Sequence, residues 1–298
     1  MKVFYGISNK NMDVTNICLF KLSRNNIITI PWGDLNRGVL FTDPLPGVLK
    51  QVFILNDDNF MAYDDRCTIK INLLNNTVTT IDENYISNRI QNIHSTLQIR
   101  YGSFYEELPE QKMVVRYLTG DERVLEIGGN IGRNSLIIAS ILKNSQNLVT
   151  LESDVNIANQ LTENRDLNNF NFHIESSALS KRKLIQKGWD TLPSDTLQAG
   201  YTWVNTISIQ QLKEKYSIEF DTLVLDCEGA FYYILMDMPE TLDNINLIIM
   251  ENDYKDISVK NYIDETLKGR GFYVDYAESG GWGPCANNFF EVWKRSVV

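Results

Sequence analysis

"VLEIGGNIGRNSLI", residues 124–137, decides how the larger part of this chain is read. A short apolar run holding one acid enters a cluster of glycines, and helix-like apolar spacing follows at once. A strand, a glycine turn and a helix in that order make a ligand-binding βα unit. The glycine spacing narrows the ligand. A dinucleotide fingerprint G-x-G-x-x-G begun at Gly128 needs glycine at 130 and 133, where the chain has Asn130 and Arg133. What stands instead is E-x-G-x-x-x-G, formed by Glu126, Gly128 and Gly132, with Gly129 and Asn130 inside the turn.

Outward from this unit, strand and helix patterns alternate from residue 111 to the end. "NLVTLES", "FHIESSA", "DTLVLDCEG" and "NLIIMENDY" read as strands, separated by helices at "DVNIANQLTENRDLN", "SIQQLKEKY" and "FYYILMDMPETL". The stretch between "FHIESSA" and "SIQQLKEKY" is irregular. After the helix "VKNYIDETLKGRG", "FYVDYAE" and "NFFEVWKR" form a hairpin, because "SGGWGPCAN" is too short for a crossover. Strands alternating with helices predict an α/β, doubly wound, Rossmann-like sheet. The closing hairpin is expected to add one antiparallel strand at its edge.

Residues 1–82 have a different texture. "KVFYGI", "NIITIP", "GVLFTD", "KQVFIL" and "CTIKINLLNNTVTTI" read as short strands between turn clusters, with Asn75-Asn76 at a hairpin turn. These residues predict a small β-rich N-terminal domain. The period then changes: Ile86, Ile90, Ile93 and Leu97 share one helical face, and Asp82 suits the N-cap. Residues 83–110 are therefore a joining helix and covering segment, and 111–298 the α/β domain.

Composition excludes several function classes. The 298 residues are 43% hydrophobic and 22% charged, ordinary for a soluble globular protein. A net charge of −10 argues against nucleic acid as the main partner. No apolar run approaches the roughly 18 residues that span a bilayer, and the N-terminus lacks the apolar core of a secretory signal. Cys18, Cys67, Cys227 and Cys285 lie far apart with no C-x-x-C pair, which fits a reducing compartment. A cytoplasmic protein is expected.

The turn chemistry favours S-adenosylmethionine. That cofactor has no phosphate; it needs close backbone approach, which glycine permits, and two acids, one near its amino group and one for its ribose diol. Glu126 ends the first strand and suits the former role. Glu152, in "LVTLESD", suits the latter, with Ser153 beside it.

The stretch "YGSFYEELPEQKMVVRYLTGDERVLEIGGNIGRNS", with "ALS" at 178–180 and "DTLVLDCEG" at 221–229, resembles the FkbM family of S-adenosylmethionine-dependent O-methyltransferases, and within it versions carried by large DNA viruses. The resemblance covers roughly residues 100–298 and excludes the N-terminal β domain. It implies methylation of a hydroxyl on a sugar, glycan or polyketide, in the host cytoplasm for a viral protein. It also implies that Tyr101, Tyr105 and Glu106 pack over the cofactor, that Asn134 belongs to its site, and that Ser177 and Ala178 flank the adenine.

Methyl transfer to a hydroxyl requires alignment and removal of a proton of high pKa. Asp226 and Glu228 at one strand end, and Glu251, Asn252 and Asp253 at the next, lie where open α/β sheets place ligands. Asp226, Glu251 and Asn252 together suit a manganese or magnesium ion, as in metal-dependent catechol and sugar O-methyltransferases. Those enzymes carry a Lys or His three residues after the Asp, where this chain has Gly229. Alternatively Asp226 or Glu228 acts directly in acid-base catalysis, or these acids cap helices. His94 and His173 are read as structural. Trp189, Trp203 and Trp282 are candidate platforms for an acceptor sugar or oligosaccharide, since C–H faces pack on aromatic rings. Trp32 and the N-terminal tyrosines suit core packing or a homo-oligomer contact, ahead of a separate glycan-binding surface. Three further readings stay open: a small-molecule (polyketide or catechol-like) O-methyltransferase, an amino-methylating enzyme of nucleic acid, and a non-catalytic S-adenosylmethionine-binding module. The second usually closes its fourth strand with Asn/Asp-Pro-Pro, where "DCEG" stands here.

Overall fold

The computed structural model describes residues 1–296 except 25, 58 and 189. Two four-stranded antiparallel sheets build the N-terminal part. The first, in order β2-β1-β5-β6, joins Lys10–Asp13, Lys2–Ile7, Gln51–Asn56 and Asn59–Tyr63. The second, β3-β4-β7-β8, joins Ser23–Arg24, Ile27–Ile30, Cys67–Asn72 and Thr77–Asp82. Val3, Tyr5, Ile28, Ile30, Val52, Ile69 and Ile71 close a core of its own between them. "GVLFTD", expected as a strand, is mostly helix. Its first residues belong to α2 (Asp34–Phe41), which follows the short α1 (Thr15–Ile17). The reason is tertiary: Arg37 lies fully buried and donates to the carbonyls of Pro31, Asp64 and Cys67, while Tyr5 Oη donates to Asp34. The joining helix α3 runs Glu83–Thr96, and Asp82 caps it by accepting from the Asn84 amide.

The second part is one seven-stranded sheet in the order β11-β10-β9-β17-β18-β20-β19. Its strands are β9 (Val124–Ile127), β10 (Leu148–Leu151), β11 (His173–Glu175), β17 (Thr222–Leu225), β18 (Leu247–Glu251), β19 (Phe272–Glu278) and β20 (Phe290–Arg295). All are parallel except β20, which lies between β18 and β19 rather than at the edge. The hairpin expected at the margin is thus inverted: its second strand inserts, and its first becomes the edge. Ile248 faces Trp293 across that pair, and a fully buried tryptophan seats β20 in the interior.

Period-2 alternation sends Leu125, Leu223, Ile248 and Met250 to a core shared with α7 (Ile209–Tyr216), α8 (Ala230–Asp237) and α9 (Ile257–Gly269). The other face, carrying Val124, Val224 and Ile249, packs on α3, α4 (Leu108–Tyr117) and α5 (Arg133–Ile141), with Leu161 of α6 (Val155–Leu167). The stretch read as irregular holds more β structure: Leu184–Lys187, Asp190–Pro193 and Thr202–Val204 form a small antiparallel sheet, and Ala178–Leu179 pairs with Thr206–Ile207. Among the described residues no helix is long and apolar enough to cross a membrane.

Candidate active site

The site is set by strand alternation. Val124 and Val224 face the α4 side of the sheet, so Glu126 and Asp226, two residues on, face it too; Ile249 does the same for Glu251. Register then aligns them. Val224 pairs with Glu126, and the next row up holds Gly128, Asp226 and Glu251 at the strand ends.

The glycine turn is drawn in by its neighbours. The amides of Gly128 and Gly129 both donate to the Leu151 carbonyl, at 3.0 and 2.9 Å. Gly128 sits at φ +91, and a Cβ there would stand 1.6 Å from the Asp226 carbonyl oxygen. A Cβ on Gly129 would meet Thr150 Oγ1 at 2.2 Å, and one on Gly132 would meet Leu161 at the same distance. Glycine was expected here to open room for a ligand. Its recorded use is to let the first strand's turn approach the second strand, the fourth strand and α6.

Both acids assigned to the cofactor flank this turn. Glu126 is 2% exposed, accepts a short bond from Ser135 Oγ, and is pushed up to about 7 by burial, against the pull of the Ser135 and Thr150 hydroxyls. Glu152 is 7% exposed and accepts from the backbone of Asn130 at 2.9 Å and of Asp154 at 2.8 Å. Burial raises its pKa, and those two bonds hold the rise down. Each of its oxygens keeps a lone pair for another donor.

Between these elements lies a cavity of about 10 Å³, room for about one water. Glu126, Gly128 and Asn134 line it from the first βα unit, Val224 and Asp226 from β17, and Glu107 and Glu110 from above. Asn134 is buried, and its Oδ1 has no hydrogen-bond partner. Apolar periodicity does not single out Glu107, which precedes α4, or Glu110 in its first turn; their i,i+3 spacing, leading into Gln111 and Val114, is the available signal. The three covering residues that were named sit differently. Tyr101 Oη donates to Glu163 at 2.9 Å, Tyr105 is 74% exposed, and Glu106 pairs with Arg133. Arg133 also reaches Glu107 at 2.5 Å and the Ser103 carbonyl at 3.2 Å.

The carboxylates crowd one another. Asp226 is held well above the usual carboxylate range by burial, then by the charges of Glu107 and Glu110. Glu251 is pushed up to about 10 by burial, by Asp226 and by its hydrogen bond with Glu110. Carboxyls crowded together in this way resist ionising together. Glu228 is exposed at φ +48, a conformation uncommon for a residue other than glycine. It hydrogen-bonds Asp253, whose carboxyl burial and Glu228 push up to about 7.

The predicted metal ligands are only partly brought together. Asp226 and Glu251 end neighbouring strands beside Glu110, and Asn252 donates from Nδ2 to the Asn288 carbonyl at 2.7 Å while its buried Oδ1 has no partner. Among the described residues no group of three or more His, Cys, Asp or Glu side chains stands where it could hold a metal ion.

Ser153 lies one residue past Glu152, at the end of the second strand. Ser177 is buried and donates to Glu175 at 3.1 Å, and Ala178 begins a two-residue strand beside it. Trp203 and Trp282 are each 48% exposed, and Trp189 lies outside the described residues. Trp282 is near the strand ends: a Cβ on the adjacent Gly283 would lie 3.4 Å from the Tyr254 carbonyl. No comparable contact brings Trp203 to the cavity. His94 bonds Gln111 and stacks on Phe104, and His173 packs on Tyr216.

No family model matches the chain, and no curated protein does. Solved structures of similar fold include an O-methyltransferase of Bacillus cereus in complex with S-adenosylhomocysteine, at 15% identity and TM-score 0.42, covering 72% of this chain and 90% of that one. Another is an O-methyltransferase of Streptomyces achromogenes involved in tomaymycin synthesis, at 15% identity and TM-score 0.39, covering 67% and 82%. A ribosomal protein L11 methylase of Lactobacillus delbrueckii subsp. bulgaricus matches at 11% identity and TM-score 0.41, covering 66% and 82%. Likenesses this distant assign neither activity nor substrate to the chain.

Proposed function

We propose that the protein is an S-adenosylmethionine-dependent O-methyltransferase of the FkbM kind, whose acceptor is a hydroxyl of a sugar or glycan. The observation that carries the cofactor assignment is the bond from the Asn130 amide to the Glu152 carboxylate. It ties the acid ending the second strand to the glycine turn, beside the buried Glu126.

Charge supports the same ligand. S-adenosylmethionine carries a sulfonium and an ammonium against one carboxylate, so it brings net positive charge to the acids around the cavity. A dinucleotide would bring a pyrophosphate into the same acids and be repelled. Asn134 Oδ1 is a buried acceptor without a donor, and it suits an ammonium or amide N–H.

When bound, the cofactor supplies an electrophilic methyl group. Glu152 accepts from the ribose hydroxyls with the lone pairs its backbone bonds leave free. Glu228, exposed at the end of β17, takes the proton of the acceptor hydroxyl, and Asp253 fixes its orientation. Asp226, in a dry setting crowded by acids, favours its neutral form and orients the acceptor as an O–H donor. Trp282, half exposed, offers an aromatic face near the end of β18.

The test is a thermal shift followed by turnover. S-adenosylhomocysteine at about a hundredfold excess over its dissociation constant should stabilise the fold by about 2.7 kcal/mol, and NAD should not. Stabilisation by NAD and not by S-adenosylhomocysteine overturns the cofactor assignment. Labelled cofactor against an oligosaccharide panel, with and without manganese or magnesium, then tests the acceptor class and the need for a metal.

A further inference from the structure

The N-terminal part touches the α/β part through a chain of polar contacts that ends at the catalytic edge of the sheet. Trp32 Nε1 donates to Tyr276 Oη at 2.9 Å, and Tyr276 Oη donates to Glu278 Oε2 at 2.6 Å. Glu278 closes β19, and register places it with the acids already described. Phe290 pairs with Glu251 on one side and with Glu278 on the other, so the three residues form one row. Directly paired residues project to the same face of a sheet, which sets Glu251 and Glu278 about 10 Å apart on the α4 side. Glu110 of α4 agrees with that placement: burial, and then the charge of Glu278, raise its carboxyl above the usual range.

Tyr276 is 2% exposed and has Arg116 4.7 Å from its ring centroid, so its hydroxyl cannot wander. Glu278 Oε1, by contrast, has no recorded bond among the described residues, and the residue is half-buried. The first turn of α2, which follows Trp32, also holds the next residue. Ser279 Oγ donates to Asn36 Oδ1 at 2.9 Å, and Asn36 donates back to the Trp32 carbonyl at 3.0 Å. Trp282 follows three residues later, half exposed. A pinned carboxylate with one free oxygen, close in sequence to an exposed indole, suits a ligand with hydroxyls along one edge and C–H groups on its face.

Resting on the methyltransferase reading above, we infer that Glu278 binds a hydroxyl of the acceptor sugar, and that Trp32 of the N-terminal part is a positioning residue acting through Tyr276. The N-terminal domain is then part of the acceptor site, not an appended module.

The experiment is a double-mutant cycle on the full-length protein, read as acceptor KM, kcat and S-adenosylhomocysteine affinity. The acceptor is the panel oligosaccharide that the wild type methylates. Glu278→Ala should raise KM about tenfold or more, in line with a hydrogen bond to a charged group, and leave cofactor affinity unchanged. Trp32→Phe keeps an aromatic ring, smaller than the indole, and removes the donor; it should raise KM about threefold, a smaller effect than a direct contact. In the Glu278→Ala background Trp32→Phe should add almost nothing, because its effect passes through that carboxylate. Tyr276→Phe repeats the test at the middle of the relay. A Trp32→Phe effect of equal size in both backgrounds overturns the relay, and an unchanged KM in Glu278→Ala overturns the contact. Failure of the wild type to bind S-adenosylhomocysteine sinks the methyltransferase reading itself. Binding without turnover of any oligosaccharide sinks the glycan acceptor, and this inference with it.

Discussion

Replacing Gly128 with alanine separates two costs that the glycine turn is expected to combine. The residue sits at φ +91, where an L side chain is strained by about 1–2 kcal/mol. Its Cβ would also fall 1.6 Å from the Asp226 carbonyl oxygen and 2.7 Å from the carbonyl carbon. That neighbour is backbone at the end of a central strand, so relief requires β17 to shift, at an overpacking cost of about 1–3 kcal/mol. Two controls isolate the terms. Gly47→Ala carries the strain alone, at φ +78 with nothing within 4 Å. Gly129→Ala carries contact alone, against Thr150 Oγ1 at 2.2 Å, without a positive φ. Gly128→Ala should therefore cost about 2–5 kcal/mol, a fall of about 3–8 °C in Tm for a chain of this size. Gly47→Ala should fall by about 3 °C, and Gly129→Ala should lie between them. Differential scanning calorimetry reads all three. A Gly128→Ala melt within about 1 °C of Gly47→Ala would show that the turn does not press on β17, and the account of the site's rigidity would be wrong.

Other outcomes follow from the same geometry. Glu126 has its folded pKa raised to about 7, so the folded state binds its proton more tightly than the unfolded chain. Its contribution is fully present below the unfolded pKa of about 4.5 and lost as pH rises to about 7. Glu126→Gln should flatten the fall in Tm across that window, and an unchanged pH profile would place the titration elsewhere. Glu152→Ala should weaken S-adenosylhomocysteine binding at least about tenfold by calorimetric titration, because a charge-assisted contact is lost; unaltered affinity would remove it from the cofactor site. Lys70→Met leaves the buried Asp275 without its 2.7 Å partner, keeping only Tyr117 and the more distant Lys294. Urea unfolding should register a loss of about 2–3 kcal/mol, toward the lower end for a broken buried pair, and a loss below about 1 kcal/mol would mean the two parts are not coupled there. A chain beginning at residue 83 keeps the whole seven-stranded sheet but loses Lys70 and Trp32, so it should still fold and bind S-adenosylhomocysteine while melting below the full chain. An insoluble or molten product would show that the two parts share one core.

Local pattern was enough for much of the α/β part. Each strand of "VLEIGG", "LVTLES" and "LVLDCEG" is short and apolar, so its existence, and the side to which Glu126 and Asp226 point, follow from alternation alone. The chain could not announce which elements would lie beside each other. That β20 inserts next to β18 depends on burying Trp293 against Ile248, a long-range choice that hairpin length does not express. α2 formed where β-branched and aromatic residues suggested a strand, because burying the Arg37 guanidinium demands three carbonyls at once, and only the folded turns supply them. The site divides the same way. Glu126, Glu152, Asp226 and Glu251 were legible because each ends a strand. Glu107 and Glu110 were not, since apolar periodicity singles out neither, and Glu278 was not, since it enters the row only through the pairing of Phe290 with two strands. Sequence periodicity determines which way a side chain faces, because that is set within a few residues. Which acids share one dry space is decided by register and helix packing, where contacts between distant segments outweigh local preference.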